Sequence, residues 1–432
     1  MATLKILNYE LAPSPATIFG CLLPAPWLGM LTGLLLAFGP SAGFPDRFAP
    51  LTLALTHCLV LGMLAPIMIG AVFQLMPVVA GQNVAGARFI APFVALASAL
   101  IAAALSAGFL LGQSRGFIFA LGLAGALYGG VALALARTGW RVKVIDATTR
   151  TLRWIALALA LVVGLGIALA GRFAGWWQID VARWLDLHVA WGVVGWIATL
   201  IIGVASTTVP MFWQTVRPSP RWQRSLPGIM WLPLFLASLQ ILWQAALLCS
   251  CMIVATFSVL ALRELGLAKR RFDPAWSLWL ACAASWLLAA LLTAVWSLFG
   301  KRLPAPVAPM IPWWIGVLAL VGGGVLPVNA MLGKIVPFLV FMHLRRQIPA
   351  RCRVPAMQAV LPPQRLQWQA RLALLALALL LLLPLAPALF AVLAGLTFAA
   401  AQGLMGVLLI LTLLRYRREL LNLACASKQA KT

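Results

Sequence analysis

The chain has 432 residues, 63% of them hydrophobic and 9% charged, which excludes a water-soluble globule with a polar exterior. Its formal charge of +24 comes from 32 Lys and Arg against 8 Asp and Glu. Those cations sit in short loops between apolar runs rather than on one basic face with interleaved aromatics, so they read as topology signals in a bilayer and exclude nucleic acid as the expected partner.

The start, MATLKILNYELAPSP, is polar, and the first apolar run after it is long enough to span, so no cleavable leader is expected. A bilayer helix needs roughly 20 residues. On that measure apolar segments fall at 16–38, 50–79, 89–112, 116–136, 154–171, 183–212, 227–244, 246–263, 275–299, 309–343, 368–385 and 387–413. The expected fold is all-α: a single integral membrane domain over 1–432, a polytopic bundle of about 12 transmembrane helices embedded in lipid. The runs 227–263 and 368–413 carry no clear turn, and each suits a tight helical hairpin at a membrane face. Counts of ten or eleven therefore stay open.

Charge along the chain sets an orientation. Arg137, Arg141, Lys143, Arg150 and Arg153 fall on one side with Arg217, Arg221, Arg224, Arg263, Lys269, Arg270 and Arg271, and the loop from Arg345 to Arg371 and the tail from Arg415 join them. The opposite side holds Arg47, Arg115, Arg172, Arg183, Lys301 and Arg302. The positive-inside rule then puts both termini in the cytoplasm, with a bacterial-type inner membrane as the expected location. Trp176, Trp177, Trp184, Trp313 and Trp314 cluster at the expected outer ends, where an indole anchors at the interface. The seven cysteines, Cys21, Cys58, Cys249, Cys251, Cys282, Cys352 and Cys425, lack a CxxC spacing and read as small apolar filler.

Segments two, six and ten are the longest, and each ends inside near a proline: GAVFQLMPVV, GVASTTVPMF and AMLGKIVPFL. Pro77, Pro210 and Pro337 are 133 and 127 residues apart. Recurrence at that period predicts a pseudo-threefold arrangement of four-helix units, roughly 1–82, 83–216 and 217–344, with 345–432 supplying the last two helices. Gln74, Thr207 and Lys334 each stand three residues before one of these prolines, placed to bond the carbonyl that the proline frees.

The histidines follow the same register. His57 lies 20 residues before Pro77 and His188 lies 22 before Pro210, so both are roughly 30 Å outward of their prolines. An imidazole inside a membrane is expensive unless it is hydrogen-bonded or binds something. Two at matched depth on related helices suggest a shared ligand, a haem or a metal such as copper, because neutral imidazole suits both. The bland alternative is two ordinary interhelical hydrogen bonds. Gly62, Gly70, Gly192, Gly195 and Gly203 follow the histidines and let a macrocycle or a neighbouring helix approach the backbone. His343, beside Arg345 and Arg346, breaks the pattern and reads as a solvated interfacial side chain, with a ligand role as the lesser reading.

With THCLVLGMLAPIMIGAVFQLMP on the second segment and LHVAWGVVGWIATLIIGVASTTVP on the sixth, the layout resembles subunit I of the haem–copper oxidases and nitric oxide reductases, and divergent relatives such as the NnrS proteins. The resemblance covers the whole chain in layout and about 60 residues in motif. It implies that His57 is an axial ligand of a haem and that His188 is a ligand of a second metal. It implies a redox partner subunit or cytochrome, and a setting in electron transfer, sensing, nitric oxide or metal stress. The helix-7 and helix-10 histidines of that superfamily have no counterpart in GIMWLPLFLASLQILWQ or PWWIGVLALVGGG, so a complete oxygen-reducing centre is not expected, and the chain leans away from being an enzyme.

No Asp or Glu lies inside an expected span, and Lys334 is the one intramembrane charge, expected to reach towards the nearby interface. A second reading is a transporter of a small solute, with GGGVLPVNAMLGK as an unwound site and Asn329 and Gln240 as midplane polar groups. A third is a scaffold whose histidines only bond backbone carbonyls.

Overall fold

The computed structural model describes residues 11–429 apart from 12, 14, 218, 240, 241, 272 and 348–353. Gln240, Cys352, most of the polar start, the centre of the 345–371 loop and the Cys425 side chain lie outside the described residues. Among those described there is no strand. The principal helices are α1 (Thr17–Phe38), α2 (Pro50–Ala80), α3 (Ala87–Leu111), α4 (Ser114–Gly139), α5 (Ala147–Phe173), α6 (Val181–Trp213), α7 (Gly228–Ser238), α8 (Trp243–Gly266), α9 (Pro274–Arg302), α10 (Ala308–Gln347), α11 (Pro363–Leu385) and α12 (Pro387–Asn422). All except α7 are long and apolar enough to cross a membrane. The chain is an all-α, multi-pass membrane bundle.

Each of the twelve apolar runs forms a helix, and the differences have local causes. Helix α5 begins seven residues before its apolar run because Asp146 caps it, accepting from Thr149 N at 2.9 Å while the Thr149 hydroxyl serves the Asp146 backbone in return. That reciprocal cap supports a polar first turn that hydropathy alone leaves out. Helix α7 has 11 residues and rises only about 16 Å, roughly half the hydrocarbon thickness. It stops at Ser238, and α8 starts after Leu242 in the left-handed region at φ 48°, so this turn lies a few residues before the expected join. The α11–α12 join falls at Leu383–Leu385, with Pro387 opening α12.

Helices α2, α6 and α10 share a local distortion. Each contains a π-helical stretch, Cys58–Leu64, Trp191–Ala198 and Leu318–Val325, and each begins 19 residues before Pro77, Pro210 and Pro337 respectively. The stretch in α10 touches those in α2 and α6. A π turn widens the helix and leaves carbonyls without their usual partners, a feature that occurs often at functional sites. Neighbouring indoles take two of these carbonyls: Trp231 Nε1 donates to Gly195 O at 3.0 Å and Trp286 Nε1 to Gly323 O at 3.2 Å.

The residues before the prolines do not serve the freed carbonyls as expected. Thr207 shares a 2.7 Å hydrogen bond with Thr148, which also donates to Gly203 O, so it ties α6 to α5. Lys334 reaches Asp273 Oδ2 at 2.7 Å. Gln74 is buried, and its Oε1 has no partner among the described residues. In each case the neighbouring helix, which the sequence does not place, decides the partner.

Helix α1 packs closely against α12. A Cβ added at Gly33 would stand 2.6 Å from Gly395 O and 2.7 Å from Ala399 N, both backbone atoms that cannot rotate aside. Gly33→Leu is therefore expected to lower stability by about 1–3 kcal/mol through overpacking. Thermal unfolding in detergent reads that loss, and an unchanged midpoint contradicts the close approach.

Candidate cofactor site

His57 closes the straight α-helical start of α2, and the π-helical stretch opens at the next residue, Cys58. His188 lies three residues before the corresponding stretch of α6. The widened turns re-aim the side chains around them, and the two imidazoles meet. Their ring centres are 6.4 Å apart and their planes differ by 12°. The two-residue difference in register does not separate them. The oxidase-like assignment gave them separate metals, whereas here they form one pair.

Each ring is held by its Nδ1. That of His57 donates to Leu53 O at 2.7 Å, one turn back, and that of His188 donates to Val162 O of α5 at 3.0 Å. A carbonyl only accepts, so Nδ1 carries the proton and Nε2 keeps its lone pair. Among the described residues no protein group bonds either Nε2. Phe109 of α3 packs against the His57 ring at 5.4 Å between centres. Gly166 of α5 leaves room for the other ring, since a Cβ there would lie 3.0 Å from His188 Cε1.

Both imidazoles line a largely apolar cavity of about 1380 Å³. Phe109, Trp196, Trp296 and Trp313 form parts of its wall, and Arg47, Lys301 and Arg302 stand along it as cations. Arg47 is tied to Asp186 Oδ1 at 2.7 Å, two residues before His188, which joins the approach to α2 with the start of α6. This ion pair was not evident from the sequence, where Asp186 is only a carboxylate near a helix end.

The other residues singled out from the sequence lie elsewhere. Gln74, Asn329, Lys334 and His343 do not line the cavity. Asn329 is 1% exposed, and neither side-chain polar atom has a partner among the described residues. His343 is half-buried near the far end of α10. The stretch GGGVLPVNAMLGK, a candidate unwound site, is helical throughout, π-helical to Val325 and α-helical beyond. Its glycines serve packing: a Cβ at Gly323 would meet the Trp286 ring at 2.5 Å, so α9 presses where α10 lacks a side chain.

Lys334 belongs to a separate polar junction around Asp273. One Asp273 oxygen accepts from Trp276 N at 3.0 Å and caps α9, while the other receives Lys334 at 2.7 Å and Trp213 Nε1 at 3.2 Å. The ends of α6, α9 and α10 are thus joined through one carboxylate.

Among the described residues no three His, Cys, Asp or Glu side chains converge as a metal cluster. Among the described residues lining this cavity, the two imidazoles leave Nε2 without a protein partner, while the Asp186 carboxylate is paired with Arg47. A bare divalent ion ordinarily takes four or more ligands, whereas haem iron brings four nitrogens of its own and asks the protein for axial ones. Two imidazole nitrogens at about 2.0–2.1 Å on opposite sides of one metal put ring centres about 6.3 Å apart. The 6.4 Å between the ring centres is close to that spacing, and the cavity exceeds the roughly 300–1,000 Å³ of ordinary ligand sites. No family model matches the chain, and no curated protein matches it.

Proposed function

We propose that this chain is a haem-binding membrane protein, a divergent relative of haem–copper oxidase subunit I of the NnrS-like kind, in which His57 and His188 would together hold the iron of one haem. The observation that carries the reading is the meeting of two Nδ1-anchored imidazoles from helices 131 residues apart in sequence, at 6.4 Å and nearly parallel, in a large apolar cavity. The matched π-helical register of α2, α6 and α10 supports a common internal plan.

Such a group, held there, would supply one-electron transfer and a site for a small gas such as nitric oxide. The protein's part is positional. Leu53 O and Val162 O set the tautomer and rotation of each ring. Phe109 packs against the His57 ring, and Gly166 gives the His188 ring its space. Without histidines at the helix-7 and helix-10 positions of an oxygen-reducing centre, the function is electron transfer or sensing rather than oxygen reduction. Charge asymmetry between the loops supports a bacterial-type inner membrane with both termini cytoplasmic, where a partner subunit or cytochrome would exchange electrons.

Arg47 and Asp186 hold the outer approach of this pair. Their side chains are 38% and 41% exposed, so the pair is a modest clamp. Asp186→Asn is expected to weaken haem binding by about two- to fivefold without unfolding the bundle, as read by haem titration. A loss as large as that from a missing histidine contradicts a clamp role.

Pigment extraction and metal analysis of the detergent-purified chain test the function. The expected result is one haem per chain with no stoichiometric copper. Protein that carries neither and cannot be loaded with haem overturns the reading, and copper at one ion per chain replaces it with a two-histidine copper site.

A further inference from the structure

At the end of the bundle that carries Pro77, the last turn of α4 and the loop between α2 and α3 enclose a groove of about 620 Å³ lined by Asn83, Ala85, Arg137, Thr138, Trp140 and Arg141. We propose that this groove binds the headgroup of an anionic phospholipid. Ala85 N donates to Thr138 Oγ1 at 3.3 Å, which fixes the loop against the helix; the two guanidinium groups, the Asn83 amide and the Trp140 indole N–H are side-chain donors on the groove wall.

Charge is the first argument. Arg137 lies in the last turn of α4 and Arg141 in the turn just beyond it, both are exposed, and neither forms an ion pair among the described residues. Lys143, Arg150 and Arg153 follow closely in the chain, and the nearby carboxylate, Asp146, is engaged in capping α5. A phosphodiester accepts from such guanidinium groups as a charge-assisted acceptor.

Placement is the second argument, and it selects a lipid over a soluble anion. Trp140 is 72% exposed at the groove, where indoles sit at headgroup depth. The Arg153 guanidinium lies 5.9 Å from the Trp140 ring and 5.5 Å from the Trp154 ring, bracing both. Leu133, one turn before Arg137, is exposed, as are Trp154 and Leu157 on α5, so the groove opens directly onto an apolar surface along which acyl chains can lie. Basic pockets between membrane helices with this arrangement are suited to anionic headgroups.

Thermal unfolding of the detergent-solubilised full chain with short-chain lipids tests this. Dioctanoyl phosphatidylglycerol is expected to raise the midpoint, while dioctanoyl phosphatidylcholine and inorganic phosphate at equal concentration are not. In Arg137→Gln/Arg141→Gln the concentration for half the effect is expected to rise about thirtyfold, whereas Arg417→Gln/Arg418→Gln, which removes two exposed cations elsewhere, responds like the unsubstituted chain. The proposal is overturned if phosphatidylcholine acts as strongly as phosphatidylglycerol, or if inorganic phosphate reproduces the shift and so marks a free-anion site. It is equally overturned if the groove variant responds unchanged, if both variants lose the response alike, or if no lipid shifts the midpoint.

Discussion

His57→Ala and His188→Ala are each expected to weaken haem binding by more than about a hundredfold and to change the optical spectrum of whatever haem remains. Loss of a group that merely orients a metal ligand costs roughly ten- to a hundredfold in affinity, and loss of the ligand itself exceeds that. The two variants are expected to be alike, because each ring is held in the same manner, by Nδ1 on a backbone carbonyl, with Nε2 left for the metal. Supplying free imidazole is expected to restore the spectrum in either variant, since truncation leaves space at the cavity wall where the ring stood. Phe109→Leu, which touches the His57 ring without offering a ligand, changes affinity far less. Haem titration with optical detection separates these cases. Equal retention in both histidine variants and the unsubstituted chain removes the histidine pair from the account.

The second large effect concerns stability at the opposite end. Asp273→Ala removes the α9 cap, the Trp213 acceptor and the partner of Lys334 in one change. A cap contributes about 1 kcal/mol. Stripping the partner from a fully buried charge costs about 3–5 kcal/mol, but the Lys334 and Asp273 side chains are 29% and 23% exposed, so only part of that applies. The expected loss is about 2–3 kcal/mol. Lys334→Met is milder, because Asp273 retains the Trp276 amide and the Trp213 indole as donors. In Asp273→Ala/Lys334→Met most of the charge penalty disappears, and the double variant is expected to be more stable than Asp273→Ala alone. Chemical unfolding in mixed micelles reads the cycle, and strict additivity contradicts the coupling.

Much of the architecture was legible because lipid imposes a simple rule: a backbone in hydrocarbon must satisfy its own hydrogen bonds, so long apolar runs become helices. The bounds of α2, α6 and α10 follow their apolar runs closely. The early start of α5 was hidden because its first turn is polar and rests on the Asp146 cap. The short α7 was hidden because its apolar run continues through the turn, which depends on Leu242 adopting a left-handed backbone. Matched depth pointed to the histidines, yet their approach to 6.4 Å depends on helix rotation and on the π-helical stretches, neither of which hydropathy encodes. Partner choice was least legible. Lys334 could be expected to reach an interface, but Asp273 stands 61 residues earlier in the chain, and Arg47 and Asp186 are 139 residues apart.

In the proposed function, two imidazoles, one from α2 and one from α6, would hold one iron. The electron paramagnetic resonance spectrum of the oxidised, haem-loaded chain reads the axial ligands directly. The account predicts one low-spin ferric species with two nitrogen ligands, lost in both His57→Ala and His188→Ala. A high-spin ferric signal in the unsubstituted chain, or a low-spin signal that survives either substitution, would contradict it.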